Sequence, residues 1–145
     1  MTISERDMAV IFKNDAADYI RAVSELGCDE NSIRLVAPTY FMRSHAIELL
    51  LKACLLASGW TVKECKDKVG HQLTEALCAA ERCGLLVSEN TKSVIATLSP
   101  LHEDYTFRYR PSRPYAFPNA TAATKALDEL FAQVHMLVCE KCLMP

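Results

Sequence analysis

One stretch of this chain, residues 41–59 (FMRSHAIELLLKACLLASG), constrains the fold more than any other. Its apolar residues point in almost every direction around a helix of 3.6 residues per turn, so it does not have the single apolar face of a surface helix. A single narrow polar stripe crosses it, formed by His45, Glu48 and Lys52. Because unpaired buried charge is costly, this stripe must meet partners. The stretch therefore predicts the central helix of a helical domain.

Composition narrows the class of protein. The chain has 145 residues, half of them hydrophobic, and a formal net charge of -2. These values predict one folded domain over residues 1–145 and argue against coating nucleic acid by bulk charge, although a local basic patch stays possible. No run approaches the roughly 20 apolar residues of a membrane span, and MTISERDMAV does not resemble a signal peptide. Seven cysteines, an odd number, indicate reduced thiols. We expect a soluble cytoplasmic protein with no membrane partner.

Helical spacing of apolar residues recurs along the whole chain, and no segment alternates as a strand does. The pattern predicts an all-α fold, an antiparallel up-and-down bundle of four to five helices. Helix starts are predicted at Ser4, Thr39, His71, Ser88 and Asn119. A further restart is predicted at Ser99-Pro100, because proline suits a first helical position. The stripe predicted to be buried on the first helix is Phe12, Ala16, Tyr19, Val23 and Leu26.

The polar stripe of the central helix has two interpretations. Glu48 and Lys52 form an i,i+4 pair in the favourable order, and His45 lies on the same side. The stripe either faces a dimer cleft, with His45 as an acid or base, or is satisfied by a neighbouring helix.

His71 stands at a predicted helix start, where an imidazole either caps the backbone or helps to bind an anion.

The segment 107–117 (FRYRPSRPYAF) is the best local candidate for contact with nucleic acid. Arginines grip phosphates and aromatic rings stack on bases. One alternative is that Phe107 and Tyr109 belong to the core and the arginines are solvated or paired with Glu103 and Asp104. Another is that the loop contacts a protein. The ligand-binding candidates of this segment are Arg108, Tyr109, Arg110 and Arg113.

Two further motifs are weaker. His102 and Arg108 could act as a proton-transfer group and a phosphate-stabilising group, but six residues on one helix turn them about 120° apart. Convergence would then need a dimer axis. Cys139 and Cys142 lack a well-spaced second pair for zinc, so we interpret them as core cysteines and predict no metal or cofactor.

Several motifs together resemble HEPN domains (higher eukaryotes and prokaryotes nucleotide-binding). Residues 44–53 (SHAIELLLKA) resemble their second helix, Gly70-His71-Gln72-Leu73 resembles the Gly-His-Asp-Leu start of their third, and residues 107–111 (FRYRP) resemble an element before their last. The resemblance covers roughly residues 40–138. It implies an all-α bundle, frequent homodimers, and association with RNA cleavage or nucleotidyltransferase systems, often as toxins or defence components.

The chain departs from that family in one respect. Active HEPN ribonucleases carry an arginine followed by four to six residues and then a histidine, and none of the arginines here has a histidine at that spacing. We therefore expect a non-catalytic module that binds RNA, a nucleotide or a partner protein. The alternatives are a metal-independent ribonuclease with a rearranged site at a dimer cleft, and a purely structural interaction bundle.

Overall fold

The computed structural model describes residues 2–26, 36–104 and 116–143, and all the regular structure in these ranges is helical. The six α-helices of the described residues are α1 (Glu5–Leu26), α2 (Val36–Ala57), α3 (Val62–Glu64), α4 (Leu73–Arg82), α5 (Glu89–Glu103) and α6 (Ala120–Val138). Two π-helical turns, Cys65–Val69 and Cys139–Leu143, follow α3 and α6. The all-α prediction is confirmed for these residues, and five of the helices have ten residues or more.

Helix α2 forms the centre of the fold, as its sequence predicts. It packs against α1, α4, α5 and α6. Residues on all its sides are buried, among them Ile47, Leu50, Leu51 and Leu55, each at most 1% exposed. The core is continuous from α2 to the inner faces of the other long helices. A side chain on α2 therefore cannot reach water unless it lies near an end or a gap between neighbours.

Three of the predicted helix caps are present. The Asp7 amide donates to the Ser4 hydroxyl, the Thr91 amide to the Ser88 hydroxyl, and the Ala122 amide to the Asn119 side chain. Each bond satisfies one of the amide groups that an α-helix leaves without a partner at its start. Local sequence was sufficient here because cap and helix are neighbours in the chain.

Two predictions based on proline were wrong. Helix α2 begins at Val36, ahead of Pro38, because a residue in the first turn needs no amide hydrogen. Helix α5 does not restart at Ser99-Pro100 but continues through it to Glu103. Pro100 removes one hydrogen bond to the carbonyl of Ala96, and both residues are exposed, so water can solvate that carbonyl.

The stripe predicted on α1 is only partly buried. Ala16 and Val23 are in the core, while Phe12 and Tyr19 are half-buried against it. Leu26, by contrast, is 42% exposed at the end of the helix, so that prediction was wrong. Lys13 is buried instead, and its Nζ lies 3.1 Å from Nδ1 of His135 on α6.

The remaining findings concern the cysteines and the membrane. Cys54 and Cys65 are buried free thiols, and burial raises the pKa of each to about 11, which keeps them protonated. Cys139 and Cys142 are half-buried. In the ranges that the structure describes, no helix is both long enough and apolar enough to cross a membrane.

Candidate functional site around Glu48

The carboxylate of Glu48 is the meeting point of three parts of the chain. Glu48 lies in the middle of α2 and is 5% exposed. Its Oε1 atom accepts hydrogen bonds from Nδ1 of His71, at 2.7 Å, and from Nε2 of His102, at 2.9 Å. Its Oε2 atom accepts from Nζ of Lys52, at 3.3 Å. We call these four residues the Glu48 cluster.

His71 reaches Glu48 from the turn between the first π-helical turn and α4. Gly70 makes this turn with a φ of +52°, a conformation that favours glycine, while its amide bonds to the Cys65 carbonyl. The turn directs His71 towards α2 instead of along the new helix. Capping by His71 was therefore a wrong prediction: the cap position is Gln72, and Ser99 on α5 accepts from the Thr74 amide. The His71 side chain is 56% exposed.

His102 reaches the same carboxylate oxygen from the last turn of α5. Its side chain is 7% exposed, so a substrate in solution cannot contact it without a rearrangement. The rings of His71 and His102 stand nearly perpendicular, at 82°, with their centroids 6.1 Å apart. The cluster thus has one imidazole inside the protein and one at its surface, both fixed by Glu48.

The charge balance of the cluster keeps Glu48 ionised. Burial by itself would raise the pKa of this carboxyl. The hydrogen bonds from His102 and His71 and the positive charge of Lys52 outweigh that effect and hold the pKa at about 2. Glu48 and Lys52 therefore have partners within the chain, and the dimer cleft stays a prediction.

His45 contributes to a different contact, although it shares the stripe. Its ring packs edge-on against Tyr19 of α1, with centroids 4.9 Å apart, and lies parallel to Phe41. The fourth histidine, His135, lies on α6 beside Lys13. Two of the four histidines therefore converge on one carboxylate, and the other two contact other partners.

The other candidates lie in one segment. Arg108, Tyr109, Arg110 and Arg113 lie outside the described residues. The pairing of His102 with Arg108 consequently stays a prediction. What the structure adds is that His102, six residues earlier in the chain, is fixed to α2 through Glu48.

Arg43 is a buried charge that the sequence pattern did not single out. It is 4% exposed, and its guanidinium carbon lies 4.8 Å from the centroid of the Tyr40 ring. Within the part of the chain that the structure describes, its Nε atom has no hydrogen-bond partner. Arg43 lines a cavity of about 560 Å³ between α1, α2 and α6, whose walls are mixed: Leu127 and Phe131 are apolar, and Asp128 is charged. The sequence offered one sign of this buried charge: Arg43 is a single arginine within a long apolar run.

The chemistry open to the Glu48 cluster follows from its donor atoms. A carboxylate that holds an exposed imidazole can orient it for proton transfer. The same three groups are also metal ligands: one atom each from Glu48, His71 and His102 lies within 4.8 Å of the others. Neither activity requires a sequence motif with short spacing, because the three residues come from three separate elements.

Comparison with known proteins adds no constraint to this geometry. No protein-family model, curated protein or solved structure matches the chain.

Proposed function

We propose that this chain is an HEPN-like helical domain that binds RNA without cutting it, using the arginines and aromatic residues of the segment 107–117 together with His71. The HEPN assignment is supported by the motif resemblance and is compatible with an all-helical fold around a buried second helix. The RNA assignment is supported by the position of the Glu48 cluster.

The observation that carries this proposal is the anchoring of α5 by Glu48. His102 is held on α2, and the exposed ring of His71 lies beside it. The chain leaves α5 from this point and enters residues 107–117, which contain three arginines and four aromatic residues. Arginines for phosphates and rings for bases are the components of a sequence-tolerant single-strand site. The exposed imidazole of His71 adds a hydrogen-bonding group at the end of α5.

Fluorescence anisotropy with a labelled single-stranded RNA oligonucleotide, in buffer containing EDTA, tests the binding. The affinity should fall as salt rises, with a log–log slope of about -0.7 for each phosphate neutralised. Arg108→Ala and Arg110→Ala should each make that slope shallower by about 0.7. Tyr109→Ala should cost about 1–3 kcal/mol of binding free energy with the slope unchanged.

The control is Arg82→Ala, which removes an exposed arginine at the end of α4 and should leave both affinity and slope unchanged. If Arg82→Ala and Arg108→Ala weaken binding equally, the interaction is bulk electrostatics and the assigned surface is wrong. If the wild-type chain does not bind RNA at all, the interaction-bundle alternative takes its place. Light scattering on the same samples tests the predicted homodimer.

A metal-independent ribonuclease is the second candidate, favoured by the pair formed by Glu48 and His71. An ionised carboxylate on Nδ1 orients the exposed ring as it orients the histidine of a catalytic triad. Cleavage also needs an acid for the leaving oxygen, and buried His102 cannot contact it directly. A second chain would then have to supply that group, which is why binding is the first proposal.

Incubation of the labelled RNA with the wild-type chain in EDTA separates the two functions. Intact RNA supports the binding module. Cleavage that is lost in His71→Ala but retained in His135→Ala would support the enzyme and overturn the non-catalytic proposal.

A further inference from the structure

We propose that Glu48, His71 and His102 form a binding site for a divalent first-row transition ion, with Lys52 as the group that orients the carboxylate. Two histidines and one carboxylate are a ligand set that zinc and iron sites share. The proposal uses only the Glu48 cluster and does not depend on RNA binding.

The distances between donor atoms suit one shared ion. Oε1 of Glu48 lies 2.7 Å from Nδ1 of His71 and 2.9 Å from Nε2 of His102. Ligands held about 2.0–2.2 Å from one metal ion are roughly 2.9–3.5 Å apart at octahedral or tetrahedral angles. The two imidazole nitrogens lie within 4.8 Å of each other, so we expect side-chain rotations to bring the three donor atoms around one ion. The imidazole nitrogens would accept the ion as neutral donors, with their protons on the other ring nitrogens.

The four residues of the Glu48 cluster would have different roles in the metal site. Lys52 donates a hydrogen bond to Oε2 of Glu48, and this bond fixes the orientation of the carboxylate. Oε1 is then the oxygen that would bind the ion. Glu48 and His102 are buried, while His71 is 56% exposed. An ion held here would have protein on its inner side and solvent on its outer side. Three protein ligands and an open position are the arrangement of catalytic rather than structural metal sites.

The alternative is a hydrogen-bonded network that never binds metal. It accounts for the pKa of Glu48, and the positive charge of Lys52 favours it over a second cation. It also accounts for the convergence of the three groups, because a buried carboxylate needs hydrogen-bond donors. A direct measurement of metal binding separates the metal site from a network that binds no metal.

Isothermal titration of the full chain with Zn²⁺, after removal of metal by a chelator, tests the site. All proteins carry serine in place of Cys78, Cys83, Cys139 and Cys142, because exposed and half-buried thiols would otherwise compete for zinc. We expect one Zn²⁺ per chain. His71→Ala should weaken its affinity by more than about 100-fold, since loss of a ligand should exceed the cost of losing a supporting contact. His71 is exposed, so this variant should fold even if Glu48→Gln does not.

The matched control is His135→Ala, which removes a histidine outside the cluster and should bind Zn²⁺ like the parent. Co²⁺ in place of Zn²⁺ should give visible absorption without the near-ultraviolet band of a thiolate ligand. Absence of saturable binding, equal affinity in His71→Ala, or a thiolate band would overturn the metal site. Because the RNA measurement is made in EDTA, either proposal can fail without the other.

Discussion

Helix α2 buries two charged side chains of opposite sign, and their surroundings differ. Glu48 accepts three hydrogen bonds from cationic or imidazole donors. Arg43 lines a cavity of mixed polarity and stacks on Tyr40, and its Nε has no hydrogen bond among the described residues. The two residues are five positions apart in the chain, which places their side chains about 140° apart around the helix axis. The comparison shows that burial on one helix does not define a site: the site depends on what the facing elements supply.

The largest expected effect comes from Glu48→Gln, which removes the negative charge and keeps the shape. We expect the free energy of unfolding at pH 7 to fall by about 3 kcal/mol, because a buried carboxylate with three donors loses its charge-assisted hydrogen bonds. Urea denaturation measures the loss. Glu25→Gln removes an exposed carboxylate paired with Arg21 and should change stability by less than about 0.5 kcal/mol. Equal effects of the two substitutions would mean that the Glu48 cluster adds no stability.

The second prediction concerns pH and the same carboxyl. The pKa of Glu48 is about 2 in the folded chain against an ordinary 4.5, so its stabilising contribution is present above pH 4.5 and is lost as pH falls towards 2. The stability difference between wild type and Glu48→Gln should shrink by about 2 kcal/mol between pH 6 and pH 3. Denaturation of both proteins at several pH values measures it. A difference that stays constant over this range would mean that the pKa of Glu48 is not lowered.

The third and smallest effect should have the opposite sign. Arg43→Met removes a buried charge whose Nε has no hydrogen bond among the described residues, and the cavity beside it includes the apolar residues Leu127 and Phe131. We expect the free energy of unfolding to rise by about 1 kcal/mol, after subtraction of the lost contact with Tyr40. Arg82→Met, at an exposed position, should have almost no effect. A loss of stability in Arg43→Met would mean that Arg43 has a charged partner in solution, and the contrast with Glu48 would fail.

The sequence indicated the individual residues of the Glu48 cluster but not that they contact one another. It selected Glu48 and Lys52 correctly, because an i,i+4 pair on a helix is visible in the chain itself. It grouped His45 with them on the same criterion, yet the ring of His45 packs against Tyr19 and Phe41. Spacing along a helix indicates only roughly in which direction a side chain points. The neighbouring elements decide which residue it contacts.

Arg43 was missed for a related reason. A lone arginine in an apolar run carries no partner in the local sequence, and a long side chain on a helix often reaches water along the surface. Only the packing of α1 and α6 over this part of α2 shows that Arg43 is enclosed.

The sequence by itself determined the helical class, the central position of α2 and the caps at Ser4, Ser88 and Asn119, because these depend on periodicity and on contacts within a few residues. The tertiary structure alone decided that His71 and His102 share one oxygen of Glu48. They are 23 and 54 residues from it in the chain, and their meeting depends on the turn at Gly70 and on the packing of α5 against α2. Local chemistry fixes the elements, whereas the cluster depends on long-range packing that no spacing in the sequence records.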